Sequence, residues 1–300
     1  MLKIAYDPIY CHPLPDGHRF PMAKYELLPK QLLYEGTVEE ENFFTPTFPS
    51  KELLLAVHDE DYLDQLINLK LTPREQRKTG FPHSEQLIKR EQIIMNGTVQ
   101  CALYALEFGC SFNIAGGTHH AFTDRGEGFC LLNDQAIAAQ YLIDNNLAKN
   151  ILIIDLDVHQ GNGTAEIFTG NNQVFTFSMH GKNNYPLHKE QSDLDVALDD
   201  KTEDKEYLSL LATSLNNIIS SFTPDFVFYQ CGVDIISTDK LGKLAVSISG
   251  CKQRDEFVFN FVKQHNLPVV CSMGGGYSPE IKHIIEAHAN TYRTAQNLFF

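Results

Sequence analysis

Short runs of β-branched and aromatic residues alternate with longer amphipathic segments along most of this 300-residue chain. This alternation predicts a parallel β-sheet, because parallel neighbours are joined by crossovers that are usually helical. The strand runs are almost continuously apolar, which is typical of a sheet covered by helices on both faces. The predicted strands are 112–115, 151–154, 174–177, 226–230 and 269–272, with another near the amino terminus. The predicted helices run approximately over 84–108, 133–146, 203–221, 249–264 and 278–298.

Composition narrows the class of protein. The formal charge of −14 argues against nucleic-acid binding, which requires a basic face, and would suit a cationic partner. Seven cysteines without a CxxC pair indicate neither a disulfide framework nor a cysteine-based zinc site, and they predict a reduced, cytoplasmic protein. No apolar run approaches the roughly 18 residues of a membrane span, and Asp7 interrupts any secretion signal. No linker or repeat divides the chain, so residues 1–300 are predicted to form one domain.

Unusual polar clusters follow five of the predicted strands. In chain order they are GGTHH, DLDVHQGNG, SMH, CGVD and MGGGY. Open parallel sheets bind ligands at the carboxyl ends of their strands, so we expect the five clusters to share one cleft. Loops that merely follow strands are often polar, but that alternative does not account for this concentration of His, Asp and Tyr.

The second cluster predicts a metal site. Asp155, Asp157 and His159 alternate, so they share one face for as long as the strand stays extended. Carboxylate and imidazole ligands suit Zn²⁺ or Fe²⁺, and Asp234, the first acid after a buried strand, is the candidate for a third ligand. Three protein ligands would leave a coordination position open for water, as in catalytic sites. In the alternative interpretation an acid caps the helix predicted after Gly161, but this explains neither the second acid nor His159.

Two further clusters predict catalytic groups. His119 and His120 follow two glycines and are candidates for general base and acid, because imidazole titrates near neutrality. Asp155 is then free to orient one of these rings through its N–H. Tyr277 follows three glycines, which permit positive φ and loop movement, so its phenol could stabilise an oxyanion. Two alternatives remain: the glycines could cradle a phosphate at a helix N-terminus, or the tyrosine could serve only in packing.

Four motifs resemble the zinc-dependent histone deacetylase family and occur in the same order: GGTHHAFTDRGEGFCLLND, IIDLDVHQGNG, QCGVDIISTDKLG and MGGGY. KIAYDPIYCHPLPDGHRF resembles the amino-terminal segment of the family, and the motifs are most similar to its class IV branch and bacterial members. The resemblance implies an arginase-like, three-layer α/β/α fold with a central, mainly parallel eight-stranded sheet. It also implies a hydrolase that removes acyl groups from the side-chain amine of lysine or from similar small amines. The implied cofactors are Zn²⁺, with Fe²⁺ as the alternative, and a structural K⁺.

The resemblance implies roles for individual residues. The implied metal ligands are Asp157, His159 and Asp234, and the implied catalytic groups are His119, His120, Asp155, Asn162 and Tyr277. Asp155 and Ser178 match ligands of the potassium ion. The implied substrate-binding residues are Arg19, Gly128, Phe129, Tyr185, Gly275 and Gly276. Of these, Phe129 and Tyr185 resemble the aromatic walls of the acyl-lysine tunnel, and Arg19 resembles an arginine near the internal cavity through which acetate leaves.

The chain departs from the family pattern in two places. Many members carry an acid where this chain has Asn162, and an amide stabilises an imidazolium less than a carboxylate does, so His120 is predicted to be less basic. No counterpart is identified for the acidic loop residue that holds the substrate backbone in some members, and residues 72–83 are basic instead. Acetyl-lysine proteins, longer acyl-lysines and acetylpolyamines are all candidate substrates. An arginase-like ureohydrolase with two manganese ions and a non-catalytic acyl-lysine binder are the alternative functions.

Overall fold

Eight strands form one central sheet in the computed structural model, which describes residues 1–300. The strands are β1 (Lys3–Ala5), β2 (Phe43–Phe44), β3 (Cys110–Asn113), β4 (Ile151–Asp155), β5 (Val174–Gly181), β6 (Leu194–Leu198), β7 (Phe226–Gln230) and β8 (Val269–Ser272). Their order across the sheet is β2-β1-β3-β8-β7-β4-β5-β6, and every neighbouring pair is parallel. The predicted parallel, eight-stranded sheet is therefore confirmed.

Ten α-helices surround the sheet. They are α1 (Lys24–Tyr34), α2 (Lys51–Leu54), α3 (Glu60–Ile67), α4 (Pro73–Thr79), α5 (Glu85–Phe108), α6 (Asp134–Asp144), α7 (Asn162–Ile167), α8 (Asp204–Ser221), α9 (Ile248–Gln264) and α10 (Ile281–Phe299). None of them combines the length and the apolar character that would be needed to cross a membrane.

The side chains of β3 show that helices cover both faces of the sheet. Ser111 and Asn113 donate hydrogen bonds to backbone carbonyls of α5, at 2.8 and 3.0 Å. Phe112 lies between them and points to the other face, where its ring centroid is 4.2 Å from that of Tyr292 in α10. Alternate residues of a strand point to opposite faces, so α5 and α10 belong to different layers. The α6 helix packs against α5, whereas α8, α9, α10 and α1 pack in series in the other layer, which confirms the three-layer α/β/α arrangement.

Two predicted boundaries are wrong for local reasons. The strand predicted at 112–115 lies two residues earlier, because the Oδ1 atom of Asn113 accepts the N–H of Ala115 and two glycines with positive φ then turn the chain out of the sheet. The last helix begins at Ile281 rather than at 278. Pro279 disfavours helical backbone at the residue before it, which delays the start of the helix.

The two edge strands were not predicted from local pattern. β2 has only two residues, and β6 alternates between partly buried and exposed side chains. Neither has the continuous apolar run that identified the central strands. Their positions follow from pairing with β1 and β5, which a local pattern does not reveal.

Candidate metal centre and catalytic cleft

Asp157, His159 and Asp234 form a buried cluster at the carboxyl edge of the sheet, with their ligand atoms within 4.8 Å of one another. The Nδ1 atom of His159 lies 2.9 Å from Oδ1 of Asp157 and 3.1 Å from Oδ2 of Asp234. The strand ends at Asp155, so its extended backbone does not continue to His159, and the bend after it turns the next two ligands towards Asp234. The α7 helix begins at Asn162 without a side-chain cap, which excludes the interpretation of these acids as helix caps.

Backbone N–H groups hold the two carboxylates in place. The N–H of Val158 donates to Oδ1 of Asp234 at 2.9 Å, and the N–H of Gly275 donates to Oδ2 of Asp157 at 2.8 Å. A Cβ atom at position 275 would lie 2.0 Å from Oδ2 of Asp234, so only glycine lets this loop approach the cluster. The loops that follow β4, β7 and β8 therefore build the cluster together.

The electrostatics of the cluster favour a bound cation. Burial, followed by repulsion from Asp157, raises the pKa of Asp234 to about 7. Burial alone would lower the pKa of His159, but its hydrogen bonds with Asp157 and Asp234 raise it to about 10. The shift of His159 indicates that the two carboxylates stabilise positive charge at this point, and the shift of Asp234 indicates that a buried negative charge beside Asp157 is unfavourable without such a charge. Carboxylate oxygen and imidazole nitrogen are also donors that bind Zn²⁺, so these residues fit a divalent metal ion.

The tandem histidines lie side by side in a cavity that Asp157 and His159 also line, with ring centroids 4.0 Å apart. The Nδ1 atom of His119 donates to Oδ2 of Asp155 at 2.6 Å, and although burial opposes it, the charge of Asp155 raises the pKa of His119. The Nδ1 atom of His120 donates to Oδ1 of Asn162 at 2.6 Å. An amide oxygen only accepts, so Nδ1 of His120 carries a proton, and in the neutral ring Nε2 is the unprotonated nitrogen. Burial and then the charge of His119 lower the pKa of His120 well below its ordinary value, so this ring is less basic than that of His119.

Asp155 connects the first histidine to the metal ligands. Its Oδ1 atom accepts the N–H of Asp157 at 3.1 Å, while Oδ2 holds His119. Ser178 is buried and pairs with Asp155 across the neighbouring strands β4 and β5. The Oγ atom of Ser178 lies 3.0 Å from Nδ1 of His180. The structure thus brings together the two residues for which the resemblance implies a potassium site.

Tyr277 faces the cluster from the loop after β8, with its ring centroid 6.3 Å from that of His159. Its backbone N–H donates to Oδ2 of Asp239 at 2.6 Å, a contact that the sequence did not indicate. Burial and then the charge of Asp157 raise the pKa of the phenol well above its ordinary value, so the hydroxyl remains a hydrogen-bond donor. The α10 helix begins at Ile281, so the three preceding glycines are not at a helix N-terminus, as a phosphate cradle would require.

An open cavity of about 230 Å³, called the mouth here, leads from the surface to the cluster. Phe129 lines both the mouth and the inner cavity, and Tyr185 lines the mouth. The ring of Tyr185 meets His120 edge to face, with centroids 4.9 Å apart. Gly128 has a φ of +53°, and a Cβ atom there would lie 2.7 Å from Cδ2 of His120. The structure therefore brings Gly128, Phe129 and Tyr185 to one tunnel.

The expected position of Arg19 is wrong. This residue is exposed at the mouth and does not line the inner cavity. Its guanidinium carbon lies 4.9 Å from the ring centroid of Phe129, so the cation stacks on the tunnel wall and keeps its contact with water.

Other cations occupy the interior, and sequence reasoning missed them. The inner cavity has a volume of about 40 Å³ and extends past the histidines to Arg90 and Ile94 of α5. Arg90 is buried and forms an ion pair with Glu91. Lys24 is also buried, and its Nζ donates to the carbonyl of Gly274 at 2.8 Å, while burial lowers its pKa to about 8. Lys24 and Arg90 each lie within a helix, and nothing in the neighbouring sequence indicates that their side chains will be buried.

His58 is a third residue to which the sequence assigned no role. Its Nδ1 donates to the carbonyl of Phe122 at 2.9 Å, and its Nε2 accepts the N–H of Asn133 at 3.0 Å. Asn133 in turn caps α6 and donates to the carbonyl of Ala121, next to the tandem histidines. The neutral ring of His58 therefore connects the segment that carries the histidines to α6.

Protonation of His58 is expected to destabilise the fold. Burial lowers its pKa from 6.5 to about 4, so between these pH values the unfolded chain binds a proton that the folded chain excludes. The free energy of unfolding should fall as the pH drops from about 6.5 to about 4, by about 1.4 kcal/mol per unit of pKa difference. Urea unfolding at pH 7 and pH 5 measures this change, which should be smaller in His58→Gln. The exposed His265→Asn variant is the control, and equal pH dependence in His58→Gln and wild type would contradict the prediction.

Comparisons with known proteins agree with this geometry. The family model described as histone deacetylase domain matches residues 18–292. An uncharacterized protein of Picosynechococcus sp. is 43% identical over 296 residues, which cover 99% of either chain. Histone deacetylase 2 of Arabidopsis thaliana is 31% identical over 277 residues, covering 89% of this chain and 72% of its own. The crystal structure of an HDAC homolog complexed with SAHA matches with a TM-score of 0.85 and 26% identity, covering 99% of this chain and 84% of that one.

Proposed function

The chain belongs to the histone deacetylase family, and we propose on that basis that it removes acyl groups from the side-chain amine of lysine with the help of a zinc ion. Membership of the family makes it a hydrolase that acts on acetyl amides. The observation that carries the proposal is a single cavity lined by His119, His120, Asp157, His159 and Tyr277. The proposal takes residues 1–300 as one catalytic domain, which the single sheet and its core of 79 buried hydrophobic residues support.

Asp157, His159 and Asp234 are the residues that would hold the metal. When bound, a divalent ion supplies Lewis-acid polarisation of the substrate carbonyl and lowers the pKa of the attacking water. Zinc is proposed because these donors suit it, and Fe²⁺ is the alternative that metal analysis distinguishes. Asp155 and Ser178, which face each other across neighbouring strands, are proposed to hold a structural potassium ion.

The histidines divide the proton transfers between them. In neutral His120 the proton lies on Nδ1, which donates to Asn162, so Nε2 accepts the proton of the attacking water and returns it to the leaving amine. His119 is oriented by Asp155 and adjusts the charge next to His120. The low basicity of His120 favours release of the proton to the amine, which is the stronger base.

Tyr277 acts on the carbonyl oxygen of the substrate. Tyr277 lines the cavity and its hydroxyl is protonated, and we propose that this hydroxyl donates a hydrogen bond to the oxygen as negative charge develops there. The preceding glycines allow the loop to bring the hydroxyl to that position.

The size of the inner cavity favours an acetyl group over longer acyl chains. Its volume of about 40 Å³ is enough for a few water molecules, and packed side chains of α5 close its end. A myristoyl chain would require these side chains to repack, which destabilises a dense interior.

The function is tested with three otherwise identical peptides that carry acetyl-, octanoyl- or myristoyl-lysine. We expect the acetyl peptide to be hydrolysed with a kcat/KM at least about 10-fold above that of the myristoyl peptide. A chelator should abolish hydrolysis, and added Zn²⁺ should restore it. Binding of the acetyl peptide without turnover by the zinc-loaded protein would favour the non-catalytic binder. Release of urea from arginine would favour the ureohydrolase.

A further inference from the structure

The mouth is basic although the chain as a whole has a formal charge of −14. Twelve residues line it, and they include Arg19, Lys78 and Lys243 but no aspartate or glutamate. The mouth thus gathers three cations at the point where the substrate enters. The sequence indicated only the basic character of residues 72–83, and the fold adds Arg19 and Lys243 from distant parts of the chain.

Two of these cations have no carboxylate partner. Arg19 stacks on the ring of Phe129, 4.9 Å from its centroid, and forms no ion pair. Lys243 donates to the backbone carbonyl of Asn183 at 2.9 Å and likewise forms no ion pair. Both side chains are exposed and free to meet an incoming ligand.

Two of the carboxylates next to the mouth are engaged by several groups each, whereas a third, that of Asp200, accepts only an amide N–H of Asn183, at 3.2 Å. Glu127 accepts the hydroxyl of Tyr185 at 2.8 Å, and its other oxygen is shared by Arg125 at 3.1 Å and Lys78 at 3.7 Å. Asp239 accepts the backbone N–H groups of Leu241, Gly242 and Tyr277, at 2.8, 2.9 and 2.6 Å. Neither is available to bind a cationic substrate or to hold the N–H groups of a peptide.

We propose that the mouth recognises a carboxylate carried by the amine portion of the substrate. A cleft lined by charges of one sign concentrates ligands of the opposite sign, and the fork of an arginine matches a carboxylate in particular. An acetamide with a carboxylate near its alkyl stem would place its neutral amide at the metal cluster and its charge between Arg19 and Lys243. An acetylpolyamine, which is cationic at this end, would be repelled. This inference rests on the proposed deacylase function.

The carboxylate can come from two sources. One is the α-carboxylate of a small acetylated amino acid, and the other is an acidic side chain beside acetyl-lysine in a peptide. Two pairs of substrates test the two sources separately. The first pair is Nα-blocked Nε-acetyl-lysine and its α-carboxamide. The second pair is an acetyl-lysine peptide that has flanking glutamates and the same peptide with flanking lysines. Within each pair the acetamide is the same, so only the charge around it changes.

We expect the acidic member of at least one pair to have a kcat/KM about 10-fold higher at an ionic strength of about 50 mM. The ratio of kcat/KM between the acidic member and its partner should fall towards one at an ionic strength of about 500 mM, because salt screens exposed charges. Lys243→Gln and Arg19→Gln should each reduce it. Lys149→Gln, which removes the same charge at the opposite edge of the sheet, should leave the preference as in wild type.

Each outcome bears on the inference. If both members of each pair are hydrolysed with equal efficiency, or if the basic member is preferred, the inference is overturned while the proposed function stands. A preference that neither mouth variant nor salt reduces would also overturn it. If no acetamide is hydrolysed, the proposed function fails and the inference fails with it. If one mouth variant fails to fold, the inference is still tested by the other variant and by the salt dependence of the wild-type preference for the acidic substrate.

Discussion

The Tyr277→Phe variant is expected to bind metal as wild type does and to lose about 10² to 10³-fold in kcat on an acetyl-lysine substrate. The substitution removes only the hydroxyl, while the ring keeps its packing against Phe20 and Phe129. The backbone N–H at this position still donates to Asp239, so the loop keeps its anchor. What is lost is the hydrogen bond to the carbonyl oxygen as it gains charge, which contributes more in the transition state than in the ground state.

The measurement is kcat and KM together with metal content. A fall in kcat with little change in KM indicates that the hydroxyl acts in the transition state, whereas a rise in KM alone would indicate binding of the ground state. Tyr34→Phe, at a tyrosine that is 90% exposed on α1, is the matched control and should behave as wild type. An unchanged kcat in Tyr277→Phe would remove this tyrosine from the mechanism.

The Asp234→Asn variant is expected to lose both metal and activity. Asp234 supplies one of the three buried ligand atoms, and the amide is a weaker, neutral donor. Loss of partners that only orient metal ligands typically weakens metal affinity 10- to 100-fold, so loss of a ligand itself should weaken it by more than about 100-fold. The amide retains an oxygen that can accept the N–H of Val158, so the effect on the fold should be small.

Metal analysis after gel filtration, with circular dichroism as the check on folding, measures this effect. Wild type should carry one divalent ion per chain, and Asp234→Asn should carry nearly none. Asp225→Asn is the matched control, because Asp225 accepts backbone N–H groups before β4, at the opposite edge of the sheet. Full metal content in Asp234→Asn would remove this residue from the ligand set, and two divalent ions per wild-type chain would favour the ureohydrolase.

The metal ligands, the tandem histidines and Tyr277 could be predicted because each follows a strand that a local pattern identifies, whereas Asn162 and the tunnel residues were implied only by the family resemblance. Asp157, His159 and Tyr277 follow central strands with long apolar runs. In a parallel sheet all these ends meet at one edge, so knowing the strands is enough to place the residues together. The prediction did not depend on the order of the strands, which no local pattern reveals.

The details of the site could not be predicted in the same way. The alternation of Asp155, Asp157 and His159 places them on one face only while the strand stays extended, and the strand ends at Asp155, so a bend directs the ligands. Arg19 was expected in the interior, whereas Lys24 and Arg90 are the buried cations. Burial of a charged side chain depends on which distant carbonyls and carboxylates surround it, and these contacts come from other parts of the chain.

The sequence by itself determined the parallel α/β architecture and the residue types that meet at its carboxyl edge, because hydrophobic periodicity and the ends of strands are local properties. Only the tertiary structure decided the charge of the mouth. A total of −14 suggested a cationic partner, yet the fold brings Arg19, Lys78 and Lys243 to the entrance while Glu127 and Asp239 are engaged by other groups. The electrostatic field at a site depends on where the charges lie in space and on which of them are already paired, and neither can be read from their sum.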